Sequence, residues 1–130
     1  YMTRYTNLDV SGLTSYSYHR YLTGYRIEEV LNYKTQAIDL SNGSAARPNY
    51  GGNCLKRLTM SPEQTGDNMP TKWRVHLYTA GYPELKEFFE SLPTVTGGNT
   101  ITLYNYAFRK GMPDELLSIV VNKGYTLTVS

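Results

Sequence analysis

Val75-His76-Leu77 opens and Ile101-Thr102-Leu103 closes the stretch that decides the fold; between them lie Pro83-Glu84-Leu85-Lys86-Glu87-Phe88-Phe89-Glu90-Ser91-Leu92-Pro93 and Gly97-Gly98-Asn99. Each outer triplet alternates apolar, polar, apolar. In a strand this sends two greasy side chains to one face and the polar one to the other. In the middle segment Leu85, Phe88, Phe89 and Leu92 fall at i, i+3, i+4 and i+7, the stripe of an amphipathic helix. Pro83 suits a first helical turn and Pro93 stops the helix, while the glycine pair supplies a turn. Strand, helix, strand is a crossover unit, and it predicts a parallel sheet.

The alternating triplet recurs. Leu8-Asp9-Val10, Ile38-Asp39-Leu40, Leu58-Thr59-Met60, Val75-His76-Leu77, Ile101-Thr102-Leu103 and Leu127-Thr128-Val129 begin 30, 20, 17, 26 and 26 residues apart. A second helix is expected from Met112 to Gly124, with Leu116, Leu117, Val120 and Val121 on one side, Asp114 and Glu115 at its positive start and Lys123-Gly124 at its end. A third is expected over His19 to Lys34, apolar at Leu22, Ile27, Val30 and Leu31, with Gly24 weakening it. Ser41 to Asn53 is rich in turn formers and reads as a long loop, and Ser61 to Thr71, with Pro62, Gly66 and Pro70, reads as irregular chain. Buried parallel strands are usually apolar on both faces. These are polar at every centre, so helices are expected on one face only, as in a stack of strand–crossover units. A small α+β domain with one open sheet face is the competing fold.

The residues resemble a known family. Leu55-x-x-Leu58-x-Met60 follows the leucine-rich repeat pattern, as do Leu8-Asp9-Val10-Ser11-Gly12-Leu13 and Ile38-Asp39-Leu40-Ser41-Asn42. Three features of residues 75–129 are similar to the last repeats of surface leucine-rich repeat proteins from gut bacteria: Ser91-Leu92-Pro93, Ile101-Thr102-Leu103-Tyr104-Asn105 and Lys123-Gly124-Tyr125. The resemblance implies an α/β fold, a short irregular leucine-rich-repeat-like solenoid whose parallel sheet is covered by helices on one face. It also implies a binding role on or outside a bacterial cell.

The 130 residues suit one domain, and a start at Tyr1 fits a mature product or a terminal part of a larger protein. No run of apolar residues is long enough to span a bilayer. Thirteen Lys and Arg against 11 Asp and Glu give a net charge of +2, too mild for nucleic acid without a dense basic stripe. The single Cys54 excludes an internal disulfide and a cysteine zinc site. His19 and His76 are the only histidines, and neither stands in a metal-binding or nucleophile-activating motif. No cofactor is implied. Glu87 and Glu90 are expected on a solvated helix face, and Trp73 half-buried at a strand start.

What remains is a patterned surface. Stacked strands would set their outward residues in columns about 4.8 Å apart, six strands making a ribbon on the order of 24 Å long. Among the outward positions the expected binding residues are Asp39, Arg57, Thr59, Arg74, His76, Tyr78, Thr102 and Tyr104. Of these, Arg57, Arg74, His76, Tyr78 and Tyr104 are the expected contact cluster, because Arg and Tyr join large area to a polar handle. Thirteen tyrosines against three Phe and one Trp suit a recognition surface. The expectation is a non-enzymatic module binding protein or glycan through the strand face. The alternatives are a spacer or cap of a bacterial adhesin, and a small α/β enzyme built around His76 or His19.

Overall fold

The computed structural model describes residues 3–12, 27–37 and 54–130. Among the described residues there are six strands: β1 (Thr3–Thr6), β2 (Ile27–Tyr33), β3 (Arg57–Met60), β4 (Lys72–His76), β5 (Asn99–Tyr104) and β6 (Tyr125–Val129). Helix α1 (Tyr82–Ser91) joins β4 to β5, and α2 (Asp114–Asn122) joins β5 to β6. All pairings are parallel and run in chain order, β1-β2-β3 in one sheet and β4-β5-β6 in another. The chain is therefore α/β with two three-stranded parallel sheets rather than one continuous six-stranded sheet.

The second sheet follows its sequence pattern closely. Trp73, Ile101 and Leu127 are aligned across β4, β5 and β6, as are Val75, Leu103 and Val129. The first four of those on β4 and β5 are buried, which seats the apolar face on the helices. Helix α1 buries Leu85, Phe88 and Phe89. Its start is closed by Glu84, whose Oε1 accepts from Gly81 N at 2.9 Å, and Pro83 fills the first turn. Helix α2 buries Leu116 and Val120 but leaves Val121 50% exposed, so its apolar stripe is narrower than the periodicity suggests. Gly124 ends it with φ +99°, a conformation that favours glycine.

Polar side chains tie each unit to the one before. Asn99 Nδ2 donates to Pro70 O (3.0 Å), and the fully buried Asn105 donates through Nδ2 to Leu77 O (2.7 Å) and Ala80 O (2.8 Å). Thr35 N donates to Gln64 Oε1 at 2.9 Å, and Tyr125 Oη donates to Pro93 O at 2.6 Å. Lys123 Nζ donates to Glu90 O and Leu92 O, both at 2.6 Å, placing an ammonium where the carbonyls of α1 run out. These bonds span between 25 and 33 residues of chain.

Between the sheets the ladder gives way to packing. Ser61 N donates to Tyr33 O on β2, whereas Met60 N, which points the other way, donates to Ser91 Oγ of α1 at 2.9 Å. A helix thus takes the place beside β3 that a strand would fill. Trp73 lies between Tyr33 (ring centroids 6.3 Å, stacked) and Phe88 (6.0 Å, edge-on), so the core is continuous even though the sheet is not. Trp73 is buried, not half-buried as its position at a strand start suggests.

The N-terminal third departs most from its sequence pattern. Ile27–Tyr33 is strand, not helix, and Lys34 makes an isolated bridge; residues 19–26 of the helix expected over His19 to Lys34 lie outside the described residues. Its buried positions, Ile27, Val30 and Tyr33, are three apart: the register with β1 shifts between Ile27 and Glu29, and beyond Val30 Asn32 adopts φ +56° and the register with β3 shifts before Tyr33. A bulged strand thereby imitates helical spacing. The first strand is Thr3–Thr6 rather than Leu8–Val10. Asn7, at φ +60°, turns the chain, and Asp9 makes only an isolated bridge to Lys34. Ile38-Asp39-Leu40 lies outside the described residues.

Candidate functional site

On β4 the side chains of Lys72, Arg74 and His76 point away from the core, and Tyr78 continues the alternation beyond the strand. On β5 the same face carries Thr100, Thr102 and Tyr104, and on β6 Thr126 and Thr128. His76 pairs with Tyr104 and Arg74 with Thr102 in the ladder. The parallel, shift-free register therefore brings an Arg-x-His-x-Tyr series against a Thr-x-Tyr-x-Tyr series.

The result is a connected aromatic and cationic cluster. The His76 and Tyr104 rings stack at 4.3 Å and 9°, and Tyr78 leans on both, at 5.3 Å from His76 and 6.2 Å from Tyr104. Tyr78 Oη lies 2.9 Å from His76 Nδ1, a hydrogen bond whose donor is set by the imidazole tautomer. Arg74 sits over the Tyr104 ring at 5.6 Å and donates from Nε to its hydroxyl at 3.3 Å. Tyr106 extends the cluster, its ring 5.0 Å from Tyr78 and its backbone N bonded to Tyr78 O at 2.9 Å, and Arg109 lies over it at 5.9 Å. Asn105, with Phe108 N donating to its Oδ1 at 3.0 Å, holds the loop that carries both.

Within the cluster, access is uneven. Tyr106 is 51% exposed and Arg109 is exposed, while Arg74, Tyr78 and Tyr104 are half-buried. His76 is 1% exposed. It is therefore not a surface contact as expected but the ring on which Tyr104 and Tyr78 rest.

No family model, curated protein or solved structure matches this chain. The site is accordingly read from its own chemistry.

Of the eight residues expected at the site, Arg74, His76, Tyr78 and Tyr104 come together, with Thr102 beside Arg74 in the same ladder. Arg57 does not join them. It faces away from the core of the first sheet, where Arg4 Nε, Glu29 and Arg57 form a row: Arg4 to Glu29 Oε1 at 2.9 Å and Arg57 Nη1 to Glu29 Oε2 at 3.5 Å. Arg57 then makes a two-point contact with Glu87 of α1, Nη2 to Oε1 at 2.6 Å and Nε to Oε2 at 2.8 Å. The Arg57 hydrogen bonds hold the Glu87 carboxyl below its ordinary value, so Glu87 is a paired group and not a merely solvated one. Thr59 accepts from Asn32 N at 3.0 Å and stabilises the bulge. Asp39 lies outside the described residues. Tyr106 and Arg109 are the additions. The signal for Tyr106 was the continued alternation Thr102-x-Tyr104-x-Tyr106; Arg109 follows a turn that no periodicity reaches.

The first sheet also borders a polar hollow of about 410 Å³ lined by Asn7, Asp9, Asn32, Lys34, Ser61, Pro62 and Glu63. Asn32 Nδ2 donates to Asn7 Oδ1 at 3.0 Å, and Asp9 Oδ1 accepts from Ser11 N and Oγ, which lowers its pKa. Among the described residues, no group of three or more His, Cys, Asp or Glu is placed to hold a metal ion, and no helix is long and apolar enough to cross a membrane.

Proposed function

We propose that this chain is a non-enzymatic recognition module, a short leucine-rich-repeat-like solenoid that binds protein through the outward strand face of its second sheet and acts on or outside a bacterial cell. The cluster of Arg74, Tyr78, Tyr104, Tyr106 and Arg109 over a buried His76 carries the reading. Tyr and Arg dominate binding hot spots because each offers wide contact area and a polar tip at small entropic cost. Here the rings already brace one another, so little freedom is lost when a partner arrives. The repeat-like architecture is supported by sequential parallel strands and by side-chain bonds that reach back between 25 and 33 residues, together with the resemblance of residues 75–129 to terminal leucine-rich repeats.

The test is an array of random peptides and of glycans, probed with the wild-type chain and with an Arg74→Ala/Tyr106→Ala double variant shown by circular dichroism to be folded. Ligands bound by the wild type and lost by the variant are expected among the peptides. Identical binding by the two proteins refutes the assignment of this face and leaves a spacer or cap role as the better description.

A further inference from the structure

We infer that the outer edge of β6 is a self-association site, where the strand pairs antiparallel with β6 of a second copy and α2 lies beside its counterpart in a two-fold dimer.

The first observation is the edge itself. Among the described residues β6 has one neighbour, β5, and stands last in the order β4-β5-β6. Ser130, one step past the strand, donates from N to Leu103 O at 2.8 Å and accepts at O from Asn105 N at 3.0 Å. Backbone direction alternates along a strand, so Thr128 and Thr126 also turn to β5, while Leu127 and Val129 present N–H and C=O to the other side. Among the described residues no hydrogen-bond partner meets those groups.

The second is the apolar surface beside that edge. Trp73, Val75, Ile101 and Leu103 are buried, but Leu127 and Val129, aligned with them across the ladder, are only half-buried. On α2, Lys123 Nζ reaches the carbonyls of Glu90 and Leu92, so its side of the helix faces α1. Val121 stands two positions earlier, about 200° round the helix, and is 50% exposed; the half-buried Leu117 lies one turn before it on the same side. Apolar surface therefore flanks the free backbone groups.

The sequence of the edge selects a second copy as the occupant. β6 is Tyr-Thr-Leu-Thr-Val, without charge or proline, and its register with β5 has no bulge. Charges, prolines and bulges are the devices by which strand edges avoid one another. A two-fold axis through Thr128, normal to the sheet, sets Leu127 opposite Val129 of the second copy, and the reverse, as hydrogen-bonded pairs. Thr128 then faces Thr128 on the outward side, and no like charges meet across the strands. The same axis keeps the two apolar faces together, so α2 meets α2 through Leu117 and Val121. This contact is smaller than the roughly 20–30 residues a side of a standard interface, which makes the dimer reversible in the micromolar range.

The test is sedimentation velocity on the intact chain from about 5 µM to about 500 µM, where exchange between monomer and dimer is expected. Thr128→Lys and Thr128→Glu each set like charges directly opposite and are expected to weaken dimerisation about tenfold or more; an equimolar mixture of the two is expected to restore it. Val121→Glu, on the opposite face, is expected to weaken it as well, and the Arg74→Ala/Tyr106→Ala variant to dimerise like wild type. Hydrogen exchange on the wild type needs no substitution: the Leu127 and Val129 amides should slow as concentration rises, while those of Thr126 and Thr128 are slow throughout. A monomer over the whole range, assembly beyond the dimer, a dimer indifferent to charge at residue 128, a mixture that fails to recover, or exchange at Leu127 and Val129 that ignores concentration overturns the proposal.

Discussion

Replacing Asn105 with alanine should loosen the molecule and silence its candidate binding face at once. The side chain is fully buried, gives two hydrogen bonds through Nδ2 to Leu77 O and Ala80 O, and accepts one from Phe108 N. Each such bond contributes about 1 kcal/mol net, so the loss is about 3 kcal/mol. The carbonyl of Leu77 keeps a bond from Ala80 N at 3.3 Å, which softens the penalty at that atom; the carbonyl of Ala80 has lost the amide that met it. For a chain of this size 1 kcal/mol moves Tm by about 4 °C, so a fall of about 12 °C is expected in a circular dichroism melt. Asn105→Asp sharpens the test. It keeps an acceptor for Phe108 N but sets a carboxylate against two carbonyl oxygens, and should cost more than alanine, about 4 kcal/mol. Both variants should also lose partner binding, because the loop they release carries Tyr106 and Arg109. A melt within about 2 °C of wild type for the alanine variant, or an aspartate variant as stable as wild type, would refute the role given to this amide.

Tyr106→Ala, by contrast, removes a half-exposed ring and should change stability by less than about 1 kcal/mol in urea titration while abolishing patch-dependent binding. Gly124→Ala and Gly98→Ala both place a side chain at positive φ, +99° and +83°, but only the first drives a new Cβ into the Val95 carbonyl oxygen; urea midpoints should show a loss of about 1 kcal/mol for Gly98 and more than about 3 kcal/mol for Gly124. The Glu87 carboxyl is held below its ordinary 4.5 by Arg57, so on acidification the unfolded chain takes up this proton first. Its contribution is complete above about pH 4.5 and disappears as pH falls through the lower folded value. With the pair partly exposed the effect should stay below about 1 kcal/mol, and Glu87→Gln should flatten that part of the stability profile.

Residues 75–129 were legible because local signals and tertiary structure agree there. Proline and glycine mark the ends of α1 and α2, and strand alternation continues undisturbed through β4 and β5. The same alternation correctly grouped Arg74, Tyr78, Thr102 and Tyr104 on one side. It could not say that His76 would be roofed by its neighbours, since burial on an outward face depends on how rings in adjacent strands lean. Arg57 was misplaced for a related reason: its outward direction was right, but its position beside α1 and Glu87 is set by where the sheet breaks. The error at Ile27–Tyr33 has a different origin. A left-handed asparagine and a register shift give a strand the three-residue spacing of a helix, and only the partner strands reveal the difference.

The Ser91 hydroxyl on α1, which receives the Met60 amide, has a consequence for solubility. Parallel strands with a bare flank invite neighbouring molecules to add to them and seed fibrous aggregates. By occupying the flank of β3 with a helix instead of leaving it open, the chain closes that route at the middle of the molecule, so Ser91→Ala should show its effect first as turbidity on prolonged incubation and only secondarily as a lower melting point.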